Sequence, residues 1–148
     1  MLEPMLACAA LFFSGLLAGS LLLEGLVLVP FWKKLSFEEF FGFHQLFGAA
    51  LFRYFAPLTT AAVALPVAAA LAAGGVNLWL NISAAASVAV LLFFPFYFKR
   101  ANEAFTNKQV IEGDLPARLA RWEQVHALRT VVELVAFGAA VLGLQSIP

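Results

Sequence analysis

Four long apolar runs, separated by short polar stretches, dominate the chain and predict four membrane-spanning helices. The runs cover residues 5–31, 52–73, 76–98 and 126–146. Each is long enough to cross a bilayer, which takes about 20 helical residues. No basic segment precedes the first run, so we interpret it as a retained span and not as a cleaved signal peptide. The pattern predicts an all-α protein: one integral membrane domain, residues 1–148, folded as an up-and-down transmembrane four-helix bundle.

The Lys and Arg residues, nine in all, cluster around the first and third connections between the spans. The amino terminus, the second connection and the carboxyl terminus carry none. Basic connections of this kind stay in the cytoplasm under the positive-inside rule, which places both termini outside. We therefore expect an integral protein of a membrane such as the bacterial inner membrane. The basic residues are Lys33, Lys34, Arg53, Lys99, Arg100, Lys108, Arg118, Arg121 and Arg129.

The second helix is expected to extend past the membrane on the cytoplasmic side. Ser36 and Glu39 have the spacing of a capping box, so a helix should begin just after Ser36, cover 37–51 and continue into the second span. Pro57 and Pro66 lie inside that span, where neighbouring groups can satisfy the carbonyls that a proline leaves unpaired.

The fourth helix has a similar extension. Gly113-Asp114 followed by Pro116 predicts a turn and then a helix start, so residues 116–125 should form helix that continues into the fourth span. That helix would be roughly 45 Å long, which exceeds the hydrocarbon core by several turns.

The composition supports a lipid environment and excludes several classes of protein. Of the 148 residues, 63% are hydrophobic and 12% are charged. A chain of this length leaves roughly a third of its unfolded surface exposed after folding, so lipid must cover much of that surface. The zero net charge gives no indication of nucleic-acid binding. Cys8 is the single cysteine, which excludes an intramolecular disulfide and a cysteine metal cluster.

Polar residues from all four helices are expected to converge on one layer near the cytoplasmic boundary. We estimated their depths by counting from the outer end of each helix at about 1.5 Å per residue. The depths come to about 24 Å for Arg129, 28 Å for Glu24 and His126, 30 Å for Arg53, 33 Å for Glu123 and 36 Å for Asn102.

One face of the fourth helix carries most of this polarity. Trp122, His126, Arg129 and Glu133 fall within a stripe about 60° wide, because about 100° separates successive residues of a helix. Charged residues inside a span normally face the bundle interior. The stripe therefore meets Glu24 of the first span, either as a binding or catalytic site or as a structural ion pair between Glu24 and Arg129 that fixes helix register.

Neither a metal nor a haem is predicted. Glu123 and His126 have the i, i+3 spacing of di-iron carboxylate bundles and are the only candidate metal ligands, but such sites need a second motif and further glutamates. Haem held by two histidines would need His44 opposite His126, whereas His44 comes out at about 43 Å, some 15 Å deeper. We expect no cofactor.

The spacing Gly15-x-x-x-Gly19 in the first span permits close approach of another helix. The glycines lie on about the opposite side of that helix from Glu24. They pack either against a partner chain, in a homo-oligomer or a larger membrane complex, or within the bundle.

The segment "ARWEQVHALRTVVELVAFGAAVLGL" resembles the last span of the anthrone-oxygenase-like family, small four-helix membrane proteins long catalogued as a domain of unknown function. "KRANEAFTNKQ" and "PFWKKLSFEEFF" are similar to the family's segments after the third and first spans. Some members are cofactor-independent oxygenases that convert anthrones to anthraquinones, and most have no assigned activity.

The resemblance implies a base that removes an acidic proton from a planar phenolic substrate, whose carbanion then reacts with oxygen. In that chemistry His126 would be the base and Arg129 would stabilise the anion, with Glu24 as the third catalytic residue. Trp122 and the phenylalanines would form a stacking pocket. The expected ligand-binding residues are Trp122, Arg53, Asn102 and Glu133.

Two functions follow as hypotheses. The first is a membrane-embedded protein that binds or oxidises a flat lipophilic molecule, such as an anthrone or a quinone. The second is a noncatalytic accessory subunit of a larger membrane complex. A transporter is disfavoured, because four spans without an inverted repeat or an interrupted helix pair provide no path.

Overall fold

Four long helices make up almost all of the structure, a computed structural model that describes residues 2–147. They are α1 (Leu2–Trp32), α2 (Phe37–Ala72), α3 (Leu78–Thr106) and α4 (Glu112–Gln145). No strand occurs among the described residues, and each helix is long and apolar enough to cross a membrane. The prediction of an all-α bundle with four such helices is confirmed.

Contacts at the two ends of the bundle fix the up-and-down arrangement. The Asn77 side-chain amide, in the turn between α2 and α3, donates a hydrogen bond of 3.1 Å to the carbonyl of Gly143 near the end of α4. At the opposite end, Lys33 after α1 forms an ion pair of 2.5 Å with Glu123 of α4. We call the end with the Asn77–Gly143 contact the termini end, and the end with the Lys33–Glu123 ion pair the basic end.

The start of α2 follows the predicted capping box. The Ser36 backbone N–H donates to Glu39 Oε2 at 2.8 Å, and the Glu39 backbone N–H donates to Ser36 Oγ at 3.4 Å. Pro57 and Pro66 lie inside α2 without ending it. Helix α2 is therefore continuous from the capping box to Ala72, as the sequence predicts.

The start of α4 follows the prediction, whereas the start of α3 has a cap that was not predicted. A single 3₁₀ turn, Glu112–Asp114, precedes the α-helical part of α4, and Pro116 lies in its first turn. The start of α3 is capped by Asn77, whose side-chain oxygen accepts from the backbone N–H of Leu80 at 3.2 Å. The turn before α4 was predicted from Gly113, Asp114 and Pro116, and the Asn77 cap was not predicted.

The core changes character along the bundle. At the termini end it is built from small residues, with Ala7, Ala69 and Ala70 around Leu80. Small residues let helix backbones approach closely, which is how helices pack in lipid without a hydrophobic driving force. At the basic end the core is aromatic and includes Trp32, Phe40, Phe41, Phe98, Phe105 and Trp122.

Glycines illustrate the tight packing between helices. A Cβ on Gly15 would lie 3.1 Å from the ring of Phe137, so Gly15 packs within the bundle, whereas Gly19 has nothing within 4 Å. A Cβ on Gly143 would lie 2.6 Å from Leu80 Cδ2 and 3.1 Å from the Leu80 backbone nitrogen. Helices α3 and α4 thus approach so closely at Gly143 that a methyl group does not fit.

Replacement of Gly143 by alanine should destabilise the bundle. The added methyl forces α3 away from α4, and overpacking of this kind costs about 1–3 kcal/mol. Gly138→Ala is the matched control in the same helix, because a Cβ there meets nothing within 4 Å. Thermal unfolding in detergent should show a lower free energy of unfolding for Gly143→Ala and no loss for Gly138→Ala. Equal stability of the two variants would contradict the packing described.

Candidate functional site

An ion pair joins α1 to α4 inside the bundle. Arg129 Nη2 donates to Glu24 Oε2 at 3.1 Å, and the two side chains are 14% and 8% exposed. The same Arg129 nitrogen lies 3.2 Å from His126 Nδ1. His126 Nδ1 in turn lies 3.5 Å from Glu24 Oε2. The structure therefore brings Glu24, His126 and Arg129, the three residues predicted as catalytic, into one cluster.

The hydrogen bonds of His126 define its tautomer. Its Nε2 lies 2.9 Å from the carbonyl oxygen of Leu21, which can only accept, so Nε2 carries the proton. In the neutral ring Nδ1 then holds the lone pair, which accepts from Arg129. Gly25 makes this approach possible, since a Cβ there would lie 3.2 Å from His126 Nε2. Both ring nitrogens of His126 thus have partners within the protein.

Two π-helical turns flank the cluster. One covers Glu24–Leu28 of α1, and the other covers Phe94–Phe98 of α3. Pro30 follows the first turn closely and Pro95 lies in the second. Proline lacks the N–H of a regular helical hydrogen bond and collides with the preceding turn, which a wider turn relieves. The Phe98 ring ends the second turn and lies 4.3 Å from the Arg129 guanidinium carbon, so the cation packs on an aromatic face.

Trp122 stacks on His126 and connects it to α3. The two rings are nearly parallel, at 12°, with centroids 5.0 Å apart. Trp122 Nε1 donates to Asn102 Oδ1 at 2.9 Å. The Trp32 ring meets Trp122 edge-on at 5.4 Å. Stacking on His126 and the hydrogen bond to Asn102 therefore fix Trp122 of α4 and Asn102 of α3 beside the ion pair.

A cavity of about 690 Å³ opens beside this cluster at the basic end. Aromatic rings form much of its wall. The polar side chains of the wall are those of Glu24, Lys99, Asn102, Glu103, Thr106, Asn107 and Arg129. His126 does not line it. The aromatic lining residues are Trp32, His44, Phe52, Phe55, Phe94, Phe98 and Trp122.

His44 lies on the wall of this cavity, which the sequence analysis did not foresee. Its Nδ1 lies 2.8 Å from the carbonyl oxygen of Phe40 and so carries the proton in the neutral ring, which leaves the lone pair on Nε2. The ring packs against Trp32 at 4.9 Å between centroids. Counting residues along a helix gave a depth for His44, but it could not show that one long cavity reaches both His44 and Glu24.

A second, smaller cavity of about 220 Å³ lies next to the first. It shares Phe52, Phe55, Phe94 and Arg129 with the first cavity. Its other lining residues are Leu17, Leu21, Ala56, Thr59, Thr60, Val90 and Leu91.

The structure does not bring Arg53 and Glu123 to the cluster. Arg53 is exposed on α2 and lines neither cavity, because the depth estimate gave its level but not the face of the helix. Glu123 pairs with Lys33 on the outside of the bundle, while His126 contacts Glu24 and Arg129. Glu123 and His126 therefore have different partners. Among the described residues no group of three or more His, Cys, Asp or Glu side chains is placed to hold a metal ion.

Glu133 lies on the predicted face of α4 but lines neither cavity. It is completely buried, and both of its carboxylate oxygens lack hydrogen-bond partners among the described residues. Arg129 is the charged group that acts on it electrostatically. The single guanidinium of Arg129 thus acts electrostatically on two buried carboxyl groups, those of Glu24 and Glu133.

Comparison of the chain with protein-family models, with curated proteins and with solved structures finds no match in any of the three. The likeness to the anthrone-oxygenase-like family therefore stays a prediction from the segments quoted above.

Loss of the Arg129 charge should strongly destabilise the protein. Arg129→Met leaves both buried carboxyl groups without their cation, and removal of one partner of a buried pair costs about 3–5 kcal/mol. Glu24→Gln keeps a hydrogen-bond acceptor beside Arg129 and should cost less. Thermal unfolding in detergent measures both, with Arg53→Met as the exposed control. If Arg129→Met is as stable as Arg53→Met, the ion pair does not stabilise the bundle.

Proposed function

We propose that the protein binds a flat, lipophilic aromatic molecule of the anthrone or quinone type in the larger cavity at the basic end. The observation that carries this proposal is the combination of aromatic walls with one buried ion pair, Glu24–Arg129, on the same cavity surface. The cavity volume of about 690 Å³ falls within the range of small-molecule sites, and such sites combine apolar walls with a few fixed polar groups.

The walls suit a planar ring system. Trp122 meets both Trp32 and Phe98 edge-to-face, and all three rings belong to the cavity wall, which gives a flat ligand aromatic side chains to pack against. The guanidinium of Arg129 can donate hydrogen bonds to a carbonyl or phenolate oxygen of that ligand. Asn102 is already held by Trp122, so its position on the wall is fixed in advance.

The same groups can support proton removal from a bound anthrone. Glu24 lines the cavity and is the base in this proposal, and Arg129 stabilises the resulting anion. His126 positions the pair from behind, because both of its nitrogens have protein partners and it lines neither cavity. The anthrone carbanion then adds one O₂ to form a peroxide anion, and protonated Glu24 returns its proton to that anion. The resulting hydroperoxide loses water to give the anthraquinone. Oxygen uptake and product formation are therefore equal in amount.

The basic end faces the cytoplasm in this proposal, as in a bacterial inner-membrane protein. All nine Lys and Arg residues cluster around the first and third connections between the spans, and the positive-inside rule retains such basic connections in the cytoplasm.

A role as a noncatalytic subunit of a larger complex predicts a partner chain in stoichiometric amount after purification from native membranes. Mass spectrometry of that preparation distinguishes the two functions.

Binding of a hydroxylated anthrone should depend on Arg129. Titration without oxygen should quench tryptophan fluorescence, because Trp32 and Trp122 line the cavity. At a temperature where circular dichroism shows that Arg129→Gln is still folded, this variant should bind about tenfold or more weakly, which corresponds to the loss of one charge-assisted hydrogen bond. Arg53→Gln, outside both cavities, should bind as the wild type does. Equal binding by the two variants, or a lack of binding by the wild type, would contradict the proposal.

Turnover, unlike binding, should depend on the Glu24 carboxylate. Glu24→Gln removes the base but keeps the shape of the site, so the rate of oxygen uptake with the same anthrone should fall by about 100-fold or more. The dissociation constant of Glu24→Gln should stay within a few fold of the wild-type value. Full turnover by Glu24→Gln would show that Glu24 is not the base. His44→Gln would then test whether the lone pair on His44 Nε2, on the cavity wall, takes the proton instead.

A further inference from the structure

We propose that the ligand carries an aliphatic chain, which lies in the smaller cavity while the flat head occupies the larger one. The ligand class is then an amphiphile with a planar aromatic or quinonoid head and a linear or isoprenoid tail. This inference rests on the proposed function, because it assigns the head to the cavity beside Glu24 and Arg129.

The two cavities are adjacent. Phe52, Phe55, Phe94 and Arg129 line both of them. In this proposal the ligand passes between these shared side chains, with its head on one side and its tail on the other. Along α1, α2 and α3 the remaining residues of the smaller cavity lie on the termini side of the larger one. The tail therefore points away from the basic end, toward the middle of the apolar spans.

The smaller cavity has the chemistry of a chain site and not of a head site. Leu17, Leu21 and Val90 form a buried apolar cluster at its wall. Apart from Arg129 at the junction, its only polar side chains are two threonines. Thr60 Oγ1 already donates to the carbonyl of Ala56 at 2.8 Å. A polar or charged head would lose its hydration there without gaining partners, whereas an aliphatic chain loses nothing.

The smaller cavity reaches the lipid-facing surface between α2 and α3. Phe52 is 55% exposed and Leu91 is 39% exposed, and both belong to its wall. An amphiphile can therefore slide in sideways from the bilayer with its tail still in an apolar medium. Only the head moves from lipid into a different environment, the larger cavity. A ligand dissolved in the membrane can therefore enter without passing through water.

The experiment compares two ligands with the same quinone head, one without a tail and one with a decyl tail. Each is titrated against the protein in lipid nanodiscs, and concentrations are expressed relative to lipid. The wild type should bind the tailed compound about tenfold more tightly, because its chain packs against fixed side chains on several sides. Ala56→Leu fills the smaller cavity alone, so it should abolish that preference and leave the tailless compound unaffected.

Ala64→Leu is the matched control, since Ala64 is exposed on the same helix and lines neither cavity. The inference is overturned if the two compounds bind the wild type equally, as they would if a phospholipid chain filled the smaller cavity, or if Ala56→Leu weakens both compounds alike. If neither compound binds the wild type, the proposed function itself fails.

A photoreactive group at the end of the tail gives a second measurement on the unaltered chain. It should label the peptide around Leu17–Leu21 of α1 or the segments 56–60 and 90–91. Labelling confined to the exposed outer residues, such as Leu26 and Val131, would place the tail in bulk lipid and overturn the inference.

Discussion

The cost of holding charge inside an apolar bundle is the constraint on which the rest of this structure depends. Moving an ion out of water costs several kcal/mol even after relaxation, and a membrane offers no solvent to reduce that cost. Glu24 and Arg129 offset this cost by forming an ion pair, with 3.1 Å between Glu24 Oε2 and Arg129 Nη2. Gly25 then admits His126 against α1, and Phe98 covers the guanidinium. The widened turn in α1 begins at Glu24, and the one in α3 ends at Phe98.

The two halves of the bundle solve different packing problems. At the termini end, alanine and glycine let the helices touch backbone to backbone, as at Gly143 against Leu80. At the basic end, large rings separate the same helices. A cavity is left beside the ion pair at this end. The sequence thus combines a tightly packed half with a half that contains the larger cavity.

Much of the architecture could be predicted from the sequence because it depends on local patterns. The apolar runs gave the four helices, Ser36 and Glu39 gave the start of α2, and the spacing of His126 and Arg129 gave the inward face of α4. Each of these rests on helical periodicity or on capping chemistry within a few residues.

Features that depend on helix rotation or on non-local packing could not be predicted. Arg53 lies at the predicted level of the polar layer but on an exposed face of α2, and a count of residues does not measure that rotation. The π-helical turns change the register of α1 and α3, and the cavity that joins His44 to Glu24 depends on rings from several helices. The expectation that His126 is the base stays untested, but its partners favour a positioning role.

The central claim is that the cavity beside Arg129 is a binding site for a flat lipophilic molecule. An experimental structure of the protein purified in its native lipids tests this most directly. The account predicts a planar density in the larger cavity, packed against Trp32 and Phe98, with a polar atom within hydrogen-bond distance of the Arg129 guanidinium. The account would be contradicted if the larger cavity were closed by its own side chains, or if a helix of a partner subunit occupied it.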